Sequence, residues 1–257
     1  MRAARASTSR VDAPRPVTLA AFQRALSDLV ASPVLVRRVW DQPDSALAGY
    51  ELSARERARL EAVAHQPGME TSCALYRMNR VTPLYTYLRL TCQALEGSLR
   101  EELDHFWELQ PAHAQFEREV RHFETYLRSR VRAGALPALI EEVLDLELAV
   151  NALRYGHAGS EPSPVADGAL SLREDARVVR ISREPLAMLS ALDAERPLDE
   201  LAVGEHYVLV MSGDDGLEVL PIADELGEPL LAIARGDGDS VPAETVELLV
   251  ETGLVVD

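Results

Sequence analysis

The chain has 257 residues, enough for one large domain or two small ones, and its 47% hydrophobic and 26% charged content is ordinary for a globular protein. Residues 1–156 carry 20 Arg and 20 Asp+Glu, whereas 157–257 carry 6 Arg and 22 Asp+Glu, so the whole net charge of −16 lies in the last 101 residues. DNA affinity rests mainly on neutralising phosphates with Lys and Arg, so the tail argues against nucleic acid as a partner, and the apolar runs fall short of the ~18 residues of a membrane helix.

In chain order, residues 1–16 are basic, with no apolar run of the kind a secretory signal needs, and read as a disordered arm. Thr18 is placed to cap an amphipathic helix with Leu19, Phe22, Leu26, Leu29 and Val30 on its apolar face. Ser32-Pro33 restarts a short helix, and Ser53 with Glu56 forms a capping box opening another to about His65. A helical run over 70–95 is expected to break near Thr82-Pro83, where proline removes a backbone donor. Ser98 and Glu101 form a second capping box, a long helix follows over 114–133, and Pro137 opens a last one ending near Tyr155. Residues 17–156 therefore read as an all-α scaffold.

The segment 157–168 is rich in Gly, Pro and Ser and reads as a linker, the first place for a protease to cut. Beyond it the pattern becomes mixed. Residues 177–181, 206–211, 217–222 and 254–256 read as strands, with a hairpin turn at 212–216, and residues 185–192, 223–235 and 242–252 read as helical. The fold class is α+β: an all-α bundle followed by a small acidic, winged-helix-like module over 169–257. Pro221 places its strand at an edge, because proline cannot serve an interior ladder.

Few residues suggest catalysis. Cys73 and Cys92 form no CxxC pair and lie in apolar helical segments, which fits a reducing cytoplasm. Glu102/His105 and Glu119/His122 have the three-residue spacing of di-iron helices. However, His105 falls about 145° and His122 about 130° from the apolar face of its helix, so solvated faces are expected and not a metal centre. Neither a phosphate-binding loop nor a dinucleotide fingerprint occurs, and Gly236-Asp237-Gly238-Asp239 lacks the rest of a calcium loop. No catalytic residue, metal or cofactor is expected. Tyr76, Arg77, Arg80, Tyr85 and Tyr87 cluster around the helix break, as a packed segment of the bundle or as an aromatic–arginine surface for a protein partner.

Several segments resemble a known family. Phe22-Gln23, Leu75 to Arg80, Pro83-Leu84-Tyr85, Leu95-Glu96-Gly97, Asp104 to Trp107 and Phe116 to Glu119 resemble partner subunits of multinuclear non-heme iron oxidative enzymes of modified-peptide biosynthesis. The tail, with Leu217 to Ile222 and Glu247 to Val256, resembles their C-terminal peptide-recognition module, and peptide-binding proteins of crocagin-type pathways look like relatives. A weaker likeness, over Arg37 to Glu56, is to the small helical subunit of extradiol dioxygenases, whose iron belongs to the partner subunit.

The resemblance implies a non-catalytic protein that captures a precursor peptide by adding it as a strand and presents it to an iron-dependent tailoring enzyme. The alternatives are an accessory subunit of a non-heme iron oxygenase and a metalloenzyme. On this reading Leu217, Glu218, Val219 and Leu220 form the peptide-binding edge, and the 242–252 helix walls a groove with Leu248 as an apolar contact and Glu251 for a basic side chain. The Tyr76–Tyr87 cluster would meet the enzyme.

Overall fold

The computed structural model describes residues 19–110, 116–156, 170–213 and 216–256. Thr18, His113 and the 157–168 segment lie outside them. The fold is mixed α+β, with small antiparallel sheets among many helices. It divides into two units, one of residues 1–79 and 107–113, the other of 80–106 and 114–257.

The first unit holds α1 (Leu19–Ala31), α2 (Pro33–Asp41), the short α3 (Pro43–Ala46), α4 (Ala54–Ala64) and the first part of α5 (Gly68–Tyr87). Ser32 caps α2 by accepting from the Leu35 N–H, and the Ser53/Glu56 capping box opens α4 as expected. Leu29, Val36, Val39, Leu47, Leu60 and Cys73 share one aliphatic core. Leu19, expected on the inner face, is 67% exposed. The Trp40 indole donates to Ala64 O at 2.8 Å and the hydroxyl of the half-buried Tyr50 to Asp28 at 2.7 Å, so the polar end of each ring finds a partner.

The second unit begins at Arg80, inside α5, which runs through Pro83 and stops at Tyr87. The break thus falls five residues beyond the expected one, at Leu88, whose φ of −128° and ψ of 42° leave the helical region. Side chains of α9 (Ala138–Tyr155) compensate it. Asn151 donates to Tyr87 O, and Glu147 accepts from the N–H groups of Leu90 and Thr91 at 2.7 and 2.9 Å and from the Thr91 hydroxyl at 2.8 Å. The orphan donors opening α6 (Arg89–Leu95) are thereby satisfied. The expected Ser98/Glu101 box does not form. Ser98 donates to Leu95 O, and a 3-10 turn over Glu96–Ser98 leads directly into α7 (Leu99–Leu109), followed by α8 (Phe116–Arg132).

After α9 come β1 (Ser171–Leu172), β2 (Ala176–Arg183), α10 (Pro185–Asp193), β3 (Val203–Gly213), β4 (Gly216–Ile222), α11 (Asp224–Ala234), α12 (Ala243–Glu251) and β5 (Val255–Val256). β2, β3 and β4 form an antiparallel meander with β3 central, and β1 pairs with β5. The strand β1 has only two residues and carries no alternation long enough to read in sequence.

Side chains alternate across the sheet, and both faces are used. Val179, Ile181, Val208 and Val210 share a core with Met188 and Leu192 of α10 and with Val143, Leu146 and Ala149 of α9. On the other face, Val178 and Ile222 join Leu230 and Ile233 of α11 and Leu249 of α12. The division expected at 157–168 therefore does not separate two cores, because the helix before it is packed on the sheet after it. The second unit has a core on each face of the sheet, and a winged-helix-like module confined to residues 169–257 would leave out α9, which covers one of them.

Gly227 sets how closely α11 approaches β3. A Cβ built on it would lie 2.1 Å from the buried Tyr207 ring. Gly227→Ala should therefore lower stability by about 1–3 kcal/mol, despite alanine's better helix propensity. Thermal unfolding checks this; an unchanged midpoint would show that α11 can lift off the sheet.

Candidate functional site

The outer edge of β4 follows from the sheet register. In an antiparallel sheet, successive residues turn their N–H and C=O groups alternately to one neighbouring strand and the other. The Ser212 N–H donates to Asp175 O on the β2 side, so Ser212, Val210 and Val208 direct their backbone groups to β2. Their partners on β4 are Leu217, Val219 and Pro221. These three residues consequently turn their backbone groups outward, away from β3. Pro221 has no N–H to offer, so the outward donors of this stretch are Leu217 and Val219. The edge position expected for the Pro221 strand is the observed one.

Side chains on this strand divide by face. Val219 is partly buried against the cluster shared by α9 and α10. Glu218 and Leu220 are on the other face and exposed, Leu220 at 40%, and Pro221, on the Val219 face, is exposed as well. The Glu218 carboxylate lies over Gly213, where an added Cβ would be 2.5 Å from Oε1. Between Gly213 and Gly216 the sequence is Asp214-Asp215, acidic and outside the described residues.

More acid lies beside the edge, opposite the end of β4. The Tyr207 hydroxyl is 2.8 Å from Glu205 and 2.7 Å from Glu228. Burial, and then these two carboxylates, push the hydroxyl far above its usual range, so it stays neutral. Arg180 stands 3.5 Å from Glu205 and offsets part of this charge.

The other expected edge residues, Leu248 and Glu251, are on α12. Leu249 is the buried residue of α12, packed with Leu230, Ile233 and Val255, while Leu248 (46% exposed) and Glu251 face solvent. Leu217 to Leu220 lie on one edge strand, and Leu248 and Glu251 form an exposed pair on α12, whose Leu249 packs in the cluster that Ile222 of β4 also joins.

No protein-family model and no curated protein matches the chain.

Most of the Tyr/Arg cluster is packed within the fold. Arg80 is not a surface contact: it is buried, donates to Glu119 at 2.7 Å and stacks over the Phe106 ring at 5.7 Å. Arg77 lies 5.3 Å over the Trp107 ring, and Tyr76 is half-buried. Tyr87 packs edge-on with Phe116 and tilted against Tyr155. Of the five residues, only Tyr85 is exposed.

The E-x-x-H motifs split in a way the helical count could have shown. His105 and His122 are exposed, as expected, but Glu102 and Glu119 are buried, contrary to a wholly solvated face. Arg130 grips Glu102 with two hydrogen bonds of 2.9 and 2.8 Å, and the Tyr126 hydroxyl donates to the same carboxylate. Burial opposes the charge on Glu102, but the Arg130 and Tyr126 bonds outweigh it and hold the carboxyl below its usual range. Glu102 stands three residues after Leu99 and four before Phe106, and Glu119 four before Phe123, so each was legible as an inner position. These glutamates are committed to arginines. Among the described residues no group of three or more His, Cys, Asp or Glu is placed to hold a metal ion.

Cys92 is buried. Burial, with Glu147 nearby, pushes its thiol up to about 12, so it stays protonated. Among the described residues no single helix is long and apolar enough to cross a membrane.

Proposed function

We propose that this chain is a non-catalytic peptide-binding protein that captures an extended precursor peptide by strand addition at β4. The observation that carries the reading is the outward-turned backbone at Leu217 and Val219 on an exposed edge strand. Glu218 and the surrounding acid favour a peptide bearing Arg or Lys, with affinity that falls as salt rises. Pro221 interrupts the row of donors, so the added strand is short. The bound peptide would be presented to an iron-dependent tailoring enzyme, in a cytoplasm that keeps Cys73 and Cys92 reduced.

Val219→Pro tests the edge. Because the Val219 N–H points outward, the substitution removes a donor for the incoming strand and spares the β3–β4 ladder. Titration calorimetry with extended peptides of graded Arg content should show binding by the parent protein and a loss of about 1 kcal/mol or more in the variant, with the fold retained by circular dichroism. Leu220→Pro, which removes an inward ladder donor, should instead destabilise the sheet. Normal peptide binding by folded Val219→Pro protein would rule out this edge. Glu251→Arg asks whether α12 takes part: unchanged affinity would confine the site to β4.

A further inference from the structure

Within the second unit, α6 and the turn after α10 enclose a pocket of about 380 Å³, at the small end of the range for ligand sites. Leu99, Leu192 and Leu198 form apolar wall, and Tyr85 stands at the side. Two cations, Arg89 (3.8 Å from Asp193) and Arg196, and two anions, Glu96 and Glu195, also line it and are exposed.

Two further observations single this pocket out. Glu96 (φ 22°) and Glu195 (φ 51°) are the positive-φ residues other than glycine among the described ones, and both line it. Glu195 occupies the position after α10 that glycine ordinarily fills, with Glu195 N–H bonded to Leu192 O and Arg196 N–H to Ala191 O. A left-handed glutamate costs stability that a glycine would not, and such residues concentrate at ligand sites. In addition, the Gln93 Oε1 atom is buried with no hydrogen-bond partner among the described residues, and Gln93 lines the same pocket. A buried acceptor left without a donor calls for a group that supplies one.

We propose that this pocket binds a free α-amino acid with an apolar side chain. The arginines match the carboxylate, the glutamates and the Gln93 carbonyl match the ammonium group after a small movement of the Gln93 side chain, and the leucines receive the side chain. Both charge signs on one rim disfavour a simple anion or cation. The assignment is independent of the β4 edge.

The test titrates the full-length protein with L-leucine and L-phenylalanine, and with 3-phenylpropionate and phenethylamine, which lack the ammonium and the carboxylate respectively. Saturable binding of at least one amino acid is expected, with the two truncated compounds weaker by about tenfold or more, the scale of one charged hydrogen bond. Arg196→Ala should weaken the amino acid by a similar factor. Glu195→Gly should raise the melting temperature by about 2–4 °C and weaken the ligand, because it relieves the backbone while removing an anion. Failure of both amino acids to bind would overturn the assignment. So would a stabilised Glu195→Gly variant with unchanged affinity, or tighter binding of a peptide ending in phenylalanine than of the free amino acid.

Discussion

Residues 169–257 produced alone will not give a folded domain. The three-stranded sheet would keep α10, α11 and α12, but would lose α9, whose Val143, Leu146 and Ala149 share a core with Val179, Ile181, Val208 and Val210. Removing that helix would expose one apolar face of the sheet. Uncovering three to four fully buried aliphatic side chains at about 1.5–3 kcal/mol each is comparable to the entire stability of a small domain. Glu142 would also be lost, and with it the acceptor for the Ser182 N–H and hydroxyl at 2.8 and 2.7 Å. The expected result is poor amide dispersion in NMR spectra and binding of a hydrophobic dye, while residues 80–257 give dispersed spectra. A well-dispersed spectrum from 169–257 would show that the sheet needs only its own helices.

Arg80→Met should destabilise the protein by about 3–5 kcal/mol, because it leaves a buried carboxylate without its guanidinium. Glu119 is only 2% exposed, and its Oε1 accepts from Arg80 Nε at 2.7 Å. Adding Glu119→Leu should restore part of the loss, since an apolar pair of similar volume does not carry the cost of a stranded charge. Chemical denaturation of both single variants and the double variant closes the cycle. If the single changes were simply additive, the pair would not be coupled. A neutral Arg80→Met would show that the Glu119 carboxylate does not depend on this guanidinium.

Much of the local structure was legible in the residues. Ser53 and Glu56 satisfy each other's backbone donors within one turn, so their capping box formed as read. The β-branched runs at 177–181 and 206–211 became strands, and Pro221 took the edge its missing N–H demands. Other local signals lost to tertiary partners. Pro83 lies within α5, and the break was moved to Leu88, where Asn151 and Glu147 of α9 satisfy the freed groups. Ser98 turned back to Leu95 because the chain enters α7 through a 3-10 turn.

For the candidate edge, sequence determined the strand, its proline and the acidity around it. Those properties depend on residues within one element, where sterics and backbone bonding act over a few positions. Only the tertiary structure decided that Leu217 and Val219 turn their donors outward, since that follows from the pairing of β3 with both neighbours. It also decided that Leu249, and not Leu248, is the buried residue of α12, because their neighbouring positions on a short helix are ranked only by what packs against them. The same applies to α9, which buries Ile140, Val143, Leu144, Leu146 and Ala149 around much of its circumference. A helix so broadly apolar must be covered on several sides, but aliphatic burial is non-directional and carries no address, so the covering sheet beyond residue 170 could be identified only once the chain was folded.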